Sequence, residues 1–149
     1  MLTTDAKVEL ITQLLGAGAR RIEAVSFAHP RLVPAMADAE EVMARVPRPE
    51  GVSYAGLILN RRGLNRAADT GVHEVNVVVC VSDTFSRRNQ NVSTDEAMQM
   101  AEEVIGIARG RGLFTTLTLA TAFGCPFEGE VSADRAVELA RRRRGQWGG

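Results

Sequence analysis

The feature that most constrains the fold is an alternation of two apolar periods along the chain. Val75, Val77, Val78, Val79 and Val81 form its most β-branched run and read as a buried strand. Stretches of helical spacing flank that run, and the same exchange recurs on both sides. Val8, Ile11, Leu14 and Leu15 follow the capping residues Thr3, Thr4 and Asp5 and stop at Gly16 and Gly18, which predicts an opening helix. Residues 20–27 then read as a strand. Met36, Ala39, Val42, Met43 and Val46 make the apolar stripe of a second helix, closed by Pro47 and Pro49. A strand over 52–59 and a short helix over 63–68 precede the valine run. Ser93 and Glu96 have the capping-box spacing, and Ala97, Met100, Ala101, Val104, Ile105 and Ala108 continue one helical face. Residues 113–120 give a fourth strand. A Gly-Cys-Pro loop follows, and a last helix starts near Ser132 and dissolves over residues 141–144. The order is one helix, then strand and helix four times over. Crossovers of this length predict a parallel sheet with helices packed on it. Pattern alone admits two architectures at 149 residues: a small doubly wound sheet, or part of a barrel whose eight units need ~250 residues.

Composition narrows the function classes. The chain is 45% hydrophobic and 24% charged, as in a soluble globular domain, and its 18 Lys and Arg balance 18 Asp and Glu. Nothing in that balance points to a nucleic-acid or anionic-membrane partner. No apolar run approaches the ~20 residues that span a bilayer, and the first residues lack the order of a signal peptide, so a cytoplasmic protein is expected. Cys80 and Cys125 show no metal or disulfide spacing and read as free, buried thiols.

Few residues stand out as chemical candidates. Glu23 interrupts the first strand between Ile22 and Ala24, where a carboxylate must either face water or be paired. Ser26 and Asn60 fall at the carboxyl ends of predicted strands, the end from which parallel-sheet enzymes build their sites; each is also a plain turn or cap residue. Residues 82–91, SDTFSRRNQN, read as a long donor-rich loop whose Arg87 and Arg88 could meet phosphate or carboxylate groups. His29 and His73 lack paired metal-site spacing. The tail RRRRGQWGG has no apolar periodicity, as a shifted frame or an artificial terminus would produce, so residues 1–140 are expected to form the domain and 141–149 a non-native tail.

Taken together, Ile22-Glu23-Ala24-Val25-Ser26-Phe27, then Pro30, then Val33-Pro34-Ala35-Met36-Ala37-Asp38 resemble the I-E-x-x-S-F, P, V-P-x-M-x-D signature of hydroxymethylglutaryl-CoA lyases. Three further blocks agree in order and spacing: residues 59–63, 82–91 and 123–129. The resemblance implies an α/β fold, a partial (β/α)8 TIM barrel of about four parallel strands, barrel strands 2 to 5, with flanking helices. It implies a metal-dependent retro-Claisen cleavage that yields acetoacetate and acetyl-CoA, with Mg2+ or Mn2+ as cofactor and an acyl-CoA as substrate. On the same resemblance Glu23 is the catalytic carboxylate, Ser26 a nearby polar site residue and Asn60 part of the substrate site. Asn89 contacts the CoA moiety, with Arg87 and Arg88 as basic neighbours.

The departures matter equally. The family's first-strand Arg-Asp pair, its His-x-His pair and its mobile cysteine loop match nothing in this sequence, so no metal ligand is assigned and this chain alone is expected to bind no metal and to be inactive. Thr116 and Thr118 stand where better-known lyases carry Arg and Tyr, which opens an alternative: a lyase or synthase of the same superfamily acting on another acyl-CoA. A third reading is a non-catalytic half-barrel that self-associates as a homo-oligomer through open sheet edges.

Overall fold

A computed structural model describes residues 1–144. Four βα units follow an opening helix. Helix α1 (Thr4–Gly16) leads into strand β1 (Arg21–Ser26), and a 3-10 turn at Pro34–Met36 precedes α2 (Ala39–Arg45). Then come β2 (Ser53–Ile58), α3 (Arg61–Ala68), β3 (Glu74–Cys80), α4 (Asp83–Gln90), α5 (Thr94–Gly110) and β4 (Phe114–Ala120). A small hairpin of β5 (Gly124–Cys125) and β6 (Gly129–Glu130) precedes α6 (Ala133–Arg144).

The strands pair in parallel in the order β1-β2-β3-β4, which is chain order. A doubly wound sheet reverses direction at a switch point and puts helices on both faces. Here every crossover steps the same way, and a common right-handed connection leaves all the helices on one face. The arrangement is the arc of a (β/α)8 barrel. Helix α2 packs on β1, α3 on β2, and α5 on β3 and β4. Beneath them Ile22, Val25, Tyr54, Ile58, Val75, Val77 and Val79 are buried with Met43, Leu64, Met98 and Leu139 in one core. Gly56 is required there, because a Cβ on it would lie 2.5 Å from Cε2 of Phe27.

Three readings of the sequence are corrected. Residues 82–91 are mostly helix, not loop. Ser82 accepts the Phe85 N–H, the carboxylate of Asp83 meets Arg87 one turn on, and Asn91 ends the helix in the left-handed region at φ 59°. This helix is specified by its caps and charges, and apolar periodicity does not register it. The Gly-Cys-Pro stretch is the β5–β6 hairpin, which crosses at Gly129 with φ 80°. The last helix runs on to Arg144 where dissolution was expected, and Arg142 pairs with Asp95 at 2.6 Å. The remainder of the 141–149 tail lies outside the described residues.

Candidate functional site

On the sheet face opposite the helices, β1, β3 and β4 present polar side chains, while β2 contributes Ser53 at its amino end and then the apolar Ala55 and Leu57. At the amino ends Arg21, Ser53 and Glu74 converge: Arg21 Nε donates to Glu74 Oε2 at 2.7 Å and Ser53 Oγ to Glu74 Oε1 at 2.5 Å. The Arg21 guanidinium also lies 5.7 Å from the Phe114 ring centroid. Burial pushes the Glu74 carboxyl up, but the hydrogen bonds from Arg21 and Ser53 and the Arg21 charge outweigh it and hold the group below its usual range. This cluster closes the amino-terminal side of the face, the side that in barrels serves stability.

Further along the strands lies Glu23. The pairing of β1 with β2 slips between Glu23 and Val25, so Glu23 stands against Ala55 and Ser26 against Leu57. Side chains alternate along a strand, and positions three apart would fall on opposite faces. The bulge at Ala24 restores both Glu23 and Ser26 to the open face. Glu23 Oε2 accepts the Nδ2 of Asn76 at 2.7 Å, while Thr118 and Thr116 donate to Asn76 Oδ1 at 2.9 and 3.3 Å. A hollow of ≈ 340 Å³ is lined by Arg21, Glu23, Ala55, Asn76 and Thr116. Ser26 Oγ turns back to accept the Ala28 N–H at 3.3 Å.

The carboxyl ends of β1, β2 and β3 gather a second group. A cavity of ≈ 300 Å³ is lined by His29, Leu59, Asn60, Arg88, Asn89 and Met100, among others. Asn60 caps α3, its Oδ1 accepting the Gly63 N–H at 3.1 Å, and it borders an adjoining cavity of ≈ 390 Å³ beside Phe27, Arg61, Arg62 and Arg66. Arg88 lies 4.0 Å over the ring of Phe127, which holds it toward the β5–β6 hairpin. Arg87 is drawn elsewhere. It pairs with Asp83 at 2.7 Å, and Asp83 also accepts the Thr94 N–H; these bonds hold the Asp83 carboxyl below its usual range. The structure thus joins Asn60, Arg88 and Asn89 on one cavity, sets Glu23 in another hollow, and leaves Arg87 off both.

Both cysteines are buried and free, as expected. Burial pushes the Cys125 thiol up, but the Ser82 hydroxyl at 2.8 Å and the Phe127 N–H favour the thiolate more and bring it below its ordinary value. Ser82 also caps α4, and Glu128 accepts the Thr84 N–H at 2.7 Å, so this contact ties the hairpin to the start of that helix.

As to a divalent ion, Glu23 Oε1 is an oxygen donor of the kind Mg2+ takes. Among the described residues no three His, Cys, Asp or Glu side chains converge, so those residues do not fit a complete ion site. Asn76 escaped the sequence reading because it hides inside the valine run. The signal was there: Glu74 and Asn76 alternate with Val75 and Val77, and Thr116 and Thr118 repeat that spacing on the neighbouring strand.

Comparison with known proteins follows the same lines. A family model described as HMGL-like matches residues 1–144. The hydroxymethylglutaryl-CoA lyase YngG of Bacillus subtilis (strain 168) is 37% identical over 93% of this chain and 46% of the relative. The hydroxymethylglutaryl-CoA lyase of Pseudomonas mevalonii is 39% identical over 95% of this chain and 47% of its own length. The chain spans about half the length of the curated relatives it matches. Among solved structures, an HMG-CoA lyase of Bacillus subtilis superposes with a TM-score of 0.93 at 36% identity, over 97% of this chain and 48% of that one. An HMG-CoA lyase of Acinetobacter baumannii in complex with coenzyme A and 3-methylmalate gives 0.91 at 34% identity, covering 97% and 47%.

Proposed function

Because the chain belongs to the HMGL-like family, we propose that it contributes the acyl-CoA side of a carbon–carbon lyase that cleaves 3-hydroxy-3-methylglutaryl-CoA to acetoacetate and acetyl-CoA. The observation that carries this reading is the convergence of Asn60, Arg88 and Asn89 on one cavity at the carboxyl ends of the strands. Amide and guanidinium donors placed there suit the amide and phosphate groups of a CoA chain. Glu23, held on the open face by Asn76, is the carboxylate that meets the reacting end, with Ser26 beside it on the same face. In the retro-Claisen step the substrate hydroxyl gives up its proton to a base and its oxygen becomes the ketone carbonyl of acetoacetate, while the electron pair of the broken carbon–carbon bond passes to the methylene beside the thioester as an enolate, which takes up a proton to give acetyl-CoA. Mg2+ or Mn2+, when bound, would polarise the substrate oxygens; Glu23 alone does not make its site, and no step is assigned to it.

The same reading places the work in the cytoplasm, in breakdown of a branched acyl-CoA such as arises from leucine, without a nucleic-acid or membrane partner. Among the described residues no helix is long and apolar enough to cross a membrane. A second substrate reading has its own observation. Thr116 and Thr118 spend their hydroxyls on Asn76, so this wall is neutral and small where Arg and Tyr are the familiar residues, and a different acyl group would fit it.

The test measures acetoacetate from 3-hydroxy-3-methylglutaryl-CoA with Mg2+, using the 149-residue chain alone and the chain co-expressed with the complementary half of the Bacillus subtilis relative. Cleavage by the pair that Glu23→Gln abolishes supports the proposal. The chain alone is expected to be silent. Titration of coenzyme A should show binding that Arg88→Ala and Asn89→Ala weaken. Absence of both cleavage and binding would overturn the reading, and cleavage of another acyl-CoA in its place would favour the second.

A further inference from the structure

We infer that Asn76 is the positioning residue for Glu23, and that Thr116 and Thr118 brace the other end of its amide. The inference rests on the reading of Glu23 as the site carboxylate and extends it to the groups behind that side chain.

An asparagine amide has an accepting end and a donating end, and which end points where is decided by its neighbours. Two hydroxyls converge on Oδ1, Thr118 at 2.9 Å and Thr116 at 3.3 Å. The Glu23 carboxylate, which only accepts, draws Nδ2 toward Oε2 at 2.7 Å and leaves Oδ1 for the two hydroxyls. The reverse orientation would set a carbonyl oxygen against a carboxylate oxygen, which only accepts; the hydroxyls, which can donate or accept, would tolerate either end of the amide. The donors therefore run in one direction, from β4 through β3 to β1. The bridge crosses β2 diagonally, because Glu23 pairs with Ala55 and Asn76 with Leu57, and the small Ala55 lines the hollow with both bridging residues.

The terminal torsion of a free glutamate is broad. Anchoring Oε2 removes that freedom and leaves Oε1, which takes no hydrogen bond among the described residues, facing the hollow. The anchor is neutral, so it orients the carboxylate without cancelling its charge, as a Lys or Arg partner would. Valine at positions 116 and 118 would keep the volume and delete both hydroxyl donors.

Two readouts keep this inference separable from the proposed function. The first needs no activity: NMR of the Asn76 side-chain amide in the 15N-labelled 149-residue chain, with circular dichroism checking that each variant is folded. One Nδ2 proton is expected to exchange more slowly than those of exposed asparagines. Glu23→Ala should remove that protection and the Thr116→Val, Thr118→Val double variant should reduce it. An amide that exchanges freely, or does not respond to Glu23→Ala, overturns the inference whatever the activity. The second readout uses the complemented enzyme. Asn76→Ala should lower kcat roughly 10- to 100-fold, as loss of an orienting hydrogen bond does, with KM changed by less than about threefold. If the wild-type pair cleaves substrate and Asn76→Ala matches it, the positioning role falls and the proposed function stands. If the amide behaves as expected and no preparation cleaves or binds acyl-CoA, the positioning geometry stands and the proposed function falls.

Discussion

The two faces of the sheet answer to different rules. Toward the helices, Val75, Val77 and Val79 on β3 and Ile58 on β2 are at most 1% exposed, and any well-packed apolar set of similar volume would serve. Toward the open side, Glu23, Asn76, Thr116 and Thr118 are linked through hydrogen bonds whose donors and acceptors must match one by one. The contrast shows that one strand can carry the fold on its odd residues and a candidate site on its even ones. Substitutions should therefore separate by parity along β3.

The largest expected effect lies on the covered face. Val77→Asp puts an unpaired carboxylate under α5 and should cost about 4 kcal/mol or more, read as a lost or strongly lowered urea midpoint. If the variant keeps wild-type stability, the covered face is not the core described here. Next comes Glu74→Gln, at the amino end of the open face. Its carboxyl is held below the ordinary value of 4.5, so the folded state binds fewer protons than the unfolded chain. The stability it adds is present above that pH and is lost as the pH falls through the folded-state value. Glu74→Gln should cost about 1–3 kcal/mol at pH 7 and flatten the decline in stability on acidification; an unchanged acid limb would assign that decline to other carboxylates.

Much of the covered face was legible in the sequence, and the reason is physical. Burial repeats with the period of the element, so the valine run and the stripe from Ala97 to Ala108 announced β3 and α5, and the box of Ser93 with Glu96 formed as read. Helix α4 escaped because its determinants, Ser82, Asp83, Arg87 and Asn91, are polar. Glu23 stood out as the one carboxylate in its strand, set between Ile22 and Ala24. Its partner did not, because a side-chain bridge between residues 53 apart in sequence leaves no periodic trace. Arg87 and Arg88 looked equivalent in the sequence, and only packing sends one to Asp83 and the other to Phe127.

Two smaller effects sharpen the comparison. Ser93→Ala removes the acceptor for the Glu96 N–H and should cost about 1 kcal/mol, with m unchanged; a change in m would mean that α5 unfolds separately. Asn76→Ala should move stability by only about 0.5 kcal/mol. A large loss there would make the open-face network part of the framework rather than of the site.

Because β2, β3 and β4 each lie beside their immediate predecessor in the chain, none of these three waits for a partner made later. Pairing closes loops of similar, moderate length, so the entropic cost of each addition stays nearly constant as the sheet grows. During synthesis β1 and β2 can dock while β3 is still being made, and each new unit finds its template already assembled. Folding of this arc should therefore proceed in the direction of translation, one βα unit at a time.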